Sequence, residues 1–285
     1  ASAASQSLNQ ICLTPRNTPF QQCLQSTIDI TPRPDSIDYR LDQYSNTIAA
    51  FNLTVEHTQC DIVVTSLIET TGSQANLPAG DSVTDNQRAL HESDLPEALM
   101  AIDCLLPSPL VPLDNSVDTI IHELPVKDTP VVLYAEQLMQ HIYTTFRYES
   151  GFSTLVTPLT EIIAARKGVC QDFAHLAVAV CRRQGVPARY VSGYLETRPP
   201  PGEKKLQGAD ASHAWFSVYC ATTGWWDFDP TNNKQPDHQY VTTAWGRDYD
   251  DVVPIKGVVY GGGSHTLTVE VDVNRTEVTP SLVRE

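Results

Sequence analysis

The sequence predicts an α+β protein, with a β-rich first third, a helical middle and strands again before the C-terminus. Three observations carry this. Residues 36–70 form β-branched and aromatic runs separated by turn residues; residues 129–185 place apolar side chains at i+3/i+4 spacing; residues 189–228 return to alternation. The chain therefore divides into a β-rich N-terminal domain over 1–72, a linker with a short helix over 73–128, a mixed core over 129–253, and a C-terminal hairpin and tail over 254–285.

In 36–56, Tyr39, Leu41 and Tyr44 precede a Ser45-Asn46 turn, and Ile48, Phe51, Leu53 and Val55 follow it. The run 61–70 is rich in β-branched residues and stops at Thr71-Gly72, so a small sandwich is expected. Residues 72–88 are polar and punctuated by Gly and Pro, which predicts a loop. A short helix follows over 96–105, and Pro107, Pro109 and Pro112 stop it. Thr129-Pro130 offers the next helix start; Val131, Ala135, Leu138, Ile142 and Phe146 carry that helix to about Tyr148. Thr157-Pro158 opens another, with Gly168 as its expected C′ residue.

A third helix begins at Cys170, where Phe173, Leu176, Ala177, Val180 and Cys181 make one apolar stripe, and Gly185-Val186-Pro187 ends it. Strands are then expected over 189–195, 213–220 and 225–228. In the middle one, His213, Trp215, Ser217 and Tyr219 share a face opposite Ala214, Phe216, Val218 and Cys220. Residues 255–260 and 266–273 flank a Gly-rich turn and predict a hairpin.

Composition excludes several functions. The net charge is −15 with no Lys/Arg-rich run, which argues against nucleic acid. No stretch reaches the ~18 apolar residues of a membrane span, and residues 1–10 lack the charged-then-apolar pattern of a secretory signal. The seven cysteines are scattered and form no Cys-x-x-Cys pair, so reduced thiols and a cytoplasmic location are expected. No two histidines have the i, i+4 spacing of a helical zinc site, and residues 261–263 lack the helix and lysine of a phosphate loop. Neither metal nor cofactor is expected.

Position distinguishes Cys170 from the other thiols. At the start of an apolar helix its sulfur faces unsatisfied N–H groups and the positive end of the dipole. Free thiols titrate near ~8.5, and helix-start thiols fall to roughly 3.5–7.5. Cys181, mid-helix on the stripe, reads as core. A thiolate attacking an amide needs an imidazolium to stabilise it and then protonate the leaving amine. His213 opens an alternating strand and is the candidate; Asp229 ends the returning strand just before Pro230, where an antiparallel return brings the two side chains together. Trp215 and Trp226 are candidates to wall a substrate cleft, and Asp172 to line it or cap the first turn of the Cys170 helix. Arg247 and Asp248 either line the cleft or pair structurally.

These residues form blocks. GVCQDFAHL, ARYVSGYL, SHAWFSVYC and GWWDFDPTN resemble the cysteine, histidine and aspartate blocks of the transglutaminase-like superfamily, and more narrowly its bacterial cysteine proteases. RLDQYSNTIAAFNL, LLPSPLVPL and WGRDYDDVVPIKGVVYGGG extend the resemblance over nearly the whole chain. The resemblance implies a papain-like α+β core behind a small β-rich domain, with Cys170 as nucleophile, His213 as base and acid, and Asp229 as the orienting acid. Asp227, on the same strand face, is set aside because the family places its acid directly before Pro-Thr. One departure is noted: family members begin with a strand ahead of the stretch resembling ASQSLNQICLTPR, and this chain starts after it.

The leading expectation is hydrolysis of peptide or isopeptide bonds in a peptide or protein substrate, through a thioester. The same site could instead pass the acyl group to an amine, making a crosslink. A non-catalytic binding scaffold is the third reading, and the joint presence of Cys170, His213 and Asp229 argues against it.

Overall fold

The computed structural model describes residues 2–72, 77–78, 80–124, 129–197 and 210–276. The first third folds into β1 (Ala4–Ile11), β2 (Gln21–Thr31), β3 (Ile37–Leu41), β4 (Thr47–Leu53) and β5 (Asp61–Thr70). Strands β1, β4 and β3 form one antiparallel sheet, and β2 pairs with β5 to form the other. Ile11, Ala49, Phe51 and Leu53 meet Ile30 in one buried layer, so the expected sandwich forms. The β3–β4 turn is held by Asp42, whose Oδ1 accepts from the N–H groups of Tyr44 and Asn46 at 2.8 Å each, with Ser45 at φ 60°. The stretch expected to follow a missing strand is itself β1.

The expected loop over 72–88 needs correction. Helix α1 (Val83–His91) starts inside it, because the Ser82 hydroxyl accepts from the Asp85 N–H at 3.1 Å and caps the first turn. Next come α2 (Pro96–Asp103), α3 (Asp118–His122) and α4 (Val131–Thr145). Helix α4 stops short of Tyr148 because Phe146 turns extended, and Arg147–Tyr148 become β6. After α5 (Leu159–Ala165), Lys167–Gly168 form β7, which pairs in parallel with β6. The left-handed residue that ends α5 is Arg166, at φ 51°, rather than Gly168. Gly168 is needed for another reason: a Cβ there would lie 2.8 Å from Asp172 Oδ2.

Helix α6 (Cys170–Arg183) then crosses one face of an antiparallel sheet made of β8 (Ala188–Leu195), β9 (Ala211–Cys220), β10 (Gly224–Phe228) and β11 (Tyr240–Gly246), in the order β10-β9-β8-β11. Phe216, Val218 and Cys220 from β9 pack with Phe173, Leu176, Ala177 and Val180 of α6 and with Leu138 and Ile142 of α4 to make the main core. His213 and Trp215 therefore occupy the opposite face of β9.

The expected C-terminal hairpin does not form. Strand β12 (Ile255–Gly261) leaves the core and pairs antiparallel with β1, from Ile11↔Ile255 to Ala4↔Gly261. Residues 266–273 are not its partner, and Val271 instead bridges Asp210. A second link ties the two halves together. Gln21 of β2 exchanges 2.8 Å hydrogen bonds with both backbone groups of Thr242 in β11, and Asn46 does the same with Trp245 at 2.8 and 3.0 Å. Their amide side chains serve as the missing strand beside β11, whose backbone would otherwise be an open edge. No helix among the described residues is long and apolar enough to cross a membrane.

Candidate active site

The site sits where the start of α6 meets one end of the sheet, at the starts of β9 and β11 and the end of β10. Asp172, in the first turn of α6, turns back and accepts from the Val169 N–H at 2.8 Å and from the Ser153 hydroxyl, which satisfies an orphan helix-start donor. Burial raises the Asp172 pKa, and these two hydrogen bonds oppose that. Cys170, one residue after the capped amide, is partly exposed, and its thiol acts on the His213 ring, helping to raise its pKa.

His213 is 8% exposed and its Nε2 lies 2.7 Å from Asp229 Oδ2, which leaves Nδ1 as the ring nitrogen available to the thiol. Burial alone would lower its pKa; the hydrogen bonds and charges of Asp229 and Cys170 prevail and raise it to about 9. Asp229 is fully buried and would be costly as a lone charge. It is not alone. Its Oδ2 also accepts from the Tyr240 hydroxyl at 2.6 Å and Asn232 Nδ2 at 2.7 Å, and its Oδ1 from the N–H groups of Thr231 and Asn232 at 2.8 and 3.2 Å. Burial pushes the Asp229 pKa up, yet His213, Tyr240 and Asn232 together hold it below the ordinary carboxylate value. The pair is thus imidazolium and carboxylate at neutral pH.

Packing fixes the ring. Trp215 lies 6.1 Å from His213 between ring centroids and meets Tyr240 edge-on at 5.4 Å. Gly193, directly opposite His213 on β8, makes room: a Cβ there would be 2.6 Å from the Trp215 ring and closer still to the Val241 carbonyl.

Three cleft candidates turn out to do structural work. Trp215 is fully buried beneath His213. Trp226 faces the main core on the far side of the sheet, its Nε1 donating to Thr223 at 3.0 Å. Asp172 is 3% exposed and caps the helix. Asp227 is turned toward the Ser217 hydroxyl and the buried Arg189 rather than His213. Arg247 pairs with Asp251, and Asp248 accepts from Leu110 N–H at 2.8 Å, so both are structural. Sequence reasoning missed Tyr240 and Asn232. Asn232 carried a signal, because an Asp followed by Pro-Thr-Asn invites a local Asx-type turn; Tyr240 carried none. All seven cysteines are free. Among the described residues, no group of three or more His, Cys, Asp or Glu side chains is placed to hold a metal.

Residues 119–230 match the transglutaminase-like superfamily and residues 1–69 the bacterial transglutaminase-like N-terminal region. An uncharacterized protein of Mycobacterium bovis is 35% identical over 266 residues, covering 92% of this chain and 84% of the relative. The chain belongs to the transglutaminase-like superfamily. An uncharacterized Mycobacterium leprae protein is 31% identical over 286 residues, covering 96% of this chain and 94% of its own. Among solved structures, the “putative cysteine protease” of Cytophaga hutchinsonii superposes with a TM-score of 0.70 at 24% identity, over 96% of this chain and 89% of that one, and shares the fold. The superfamily core and its N-terminal region thus correspond to the α6-centred half and the β1–β5 sandwich.

Proposed function

We propose that this transglutaminase-like protein is a thiol-dependent acyl-transfer enzyme acting on amide bonds of peptide or protein substrates. The observation that carries the reading is the buried His213–Asp229 pair beside the partly exposed Cys170, with His213 held protonated to about 9. In this reading the Cys170 sulfur attacks the carbonyl carbon and the carbonyl oxygen takes the electron pair. The His213 imidazolium gives its proton to the departing nitrogen as the C–N bond breaks, leaving a thioester and a free amine. The now neutral His213 then takes a proton from water, whose oxygen displaces the thiol and releases the acid. Asp229 keeps the ring oriented and stabilises its charge throughout, as the acid of a Ser-His-Asp triad does. Seven free thiols suit a reducing compartment, which supports a cytoplasmic location.

Hydrolysis and amine crosslinking differ only in what resolves the thioester. The test incubates wild type and Cys170→Ala with a diverse peptide library, with and without a primary amine, and reads the products by mass spectrometry. Cleaved or deamidated peptides that vanish in Cys170→Ala support hydrolysis; amine-bearing peptides support crosslinking. No Cys170-dependent product under either condition contradicts the enzyme reading and favours a scaffold.

A further inference from the structure

In the proposed reaction His213 gives its proton to the departing nitrogen, so the leaving half of the substrate points toward His213. His213 and Ala214 are neighbours on β9 and face opposite sides of the sheet. The acyl half therefore extends away from His213, on the Ala214 side of the sulfur. We infer that it meets Tyr249 there. The Tyr249 ring is a wall for the acyl chain, which makes Tyr249 a specificity-determining residue and favours acyl groups that carry an extended apolar chain.

The placement follows from what the two residues share. Cys170 and Tyr249 are both partly buried against one small cluster, which includes Ala174 of α6, Tyr190 of β8, Ala214 of β9 and Val252. Ala174 lies one helical turn after Cys170 and Ala214 adjoins His213, so this cluster begins at the nucleophile. Tyr190 is 2% exposed and meets Tyr249 edge-on, with 6.2 Å between ring centroids. Its phenol is raised well above its ordinary pKa by burial and then by the negative charges of Cys170 and Tyr249, so it stands within the field of both. Tyr249 is the partly exposed aromatic of the pair, and hence the one that a substrate can touch.

The segment around the ring holds it rigidly. Tyr249 opens a 3-10 turn (Tyr249–Asp251), and its N–H donates to His175 Nε2 at 3.1 Å. His175 lies on α6, five residues after Cys170, and packs on Tyr190 with 4.7 Å between ring centroids. Burial lowers the His175 pKa to about 4, so at neutral pH Nε2 keeps the lone pair that this bond needs. Asp248 completes the anchor, its Oδ1 accepting from Asp250 N–H at 2.9 Å and its Oδ2 from Leu110 N–H at 2.8 Å. Ring and nucleophile are thus both referred to α6, and a wall fixed in this way discriminates by packing.

The inference rests on the proposed function, and a pair of acyl donors separates the two. p-Nitrophenyl acetate and p-nitrophenyl butyrate each acylate a reactive thiol: the S–C bond forms, the C–O bond breaks, and p-nitrophenolate leaves with the electron pair. The butyrate carries two more methylenes in its acyl chain. Single-turnover acylation by both esters is measured for wild type, Cys170→Ala, Tyr249→Ala and Tyr249→Phe, and each rate is divided by that ester's rate with free cysteine. In wild type the corrected butyrate rate should exceed the acetate rate about tenfold, at roughly fourfold per buried methylene. Tyr249→Ala should bring that ratio within about twofold of unity while acetylation stays within about threefold of wild type, and Tyr249→Phe should keep the ratio. A wild-type ratio of unity, or a ratio unchanged in Tyr249→Ala, overturns the assignment. So does an equal fall for both esters, which would make Tyr249 a support for the thiol, and so does loss of the ratio in Tyr249→Phe, which would make its hydroxyl the contact. The absence of a Cys170-dependent burst with either ester in wild type overturns the nucleophile reading itself, and the wall with it.

Discussion

His213 carries the pH dependence of the site. Its folded pKa of about 9 lies above its ordinary 6.5, so what Asp229 and Cys170 contribute to stability is complete below about 6.5 and is lost as pH rises through about 9. The His213 ring protons, followed by NMR, should titrate with a midpoint near 9 in wild type. Asp229→Asn removes the carboxylate and leaves only Cys170 to oppose burial, so the midpoint should fall by more than a unit, on the order of 1.4 kcal/mol per unit. An unmoved midpoint would mean that Asp229 does not hold the ring. Tyr240→Phe deletes a 2.6 Å hydrogen bond to a buried carboxylate and should cost about 1–3 kcal/mol in urea unfolding. The sequence made Cys170, His213 and Asp229 legible because each stands at an element boundary whose period could be read. Tyr240 stayed hidden: β11 is buried on both faces, so no alternation marks it as a strand.

The α6 start is an element whose geometry depends on one missing Cβ. Gly168→Ala would put a methyl 2.8 Å from Asp172 Oδ2 and 2.9 Å from its Cβ. The cap must move, so the substitution should lower stability by about 1–3 kcal/mol and slow alkylation of Cys170. Asp172→Ala leaves the Val169 N–H without its partner and should cost about 0.5–2 kcal/mol. If either variant melts and alkylates as wild type does, the cap does not position the thiol. Helices with apolar stripes were legible at this scale, α4 and α6 above all. Helix α1 was not, because VTDNQRALH is mostly polar and its Ser82 cap sits among loop-forming residues. Strand β2 escaped for a similar reason: in QQCLQSTIDIT only Gln21 and Ile30 are buried.

At the scale of the molecule, the sandwich and the core are completed by each other. Strand β12 comes from beyond the core to pair with β1, and Gln21 and Asn46 reach from the sandwich to saturate β11. No local pattern announces a pairing between Ile11 and Ile255, so a hairpin was the nearest short-range alternative. Two consequences follow. A fragment of residues 1–72 lacks its β12 edge and should show far weaker amide protection in β1 than the full chain; equal protection would mean the sandwich is self-sufficient. Asn46→Ala leaves Trp245 N–H and C=O unpaired and should cost about 1–3 kcal/mol.

The central claim is that His213, held by Asp229, activates Cys170, and the thiols themselves test it. Cys60 is exposed while Cys170 is only partly so, and therefore accessibility alone predicts that Cys60 reacts first. Brief iodoacetamide labelling near neutral pH, mapped by peptide mass spectrometry, should instead find Cys170 labelled at least about tenfold faster than the other six, with the advantage lost in His213→Ala. Labelling that follows exposure, or a Cys170 rate unchanged in His213→Ala, would contradict the account.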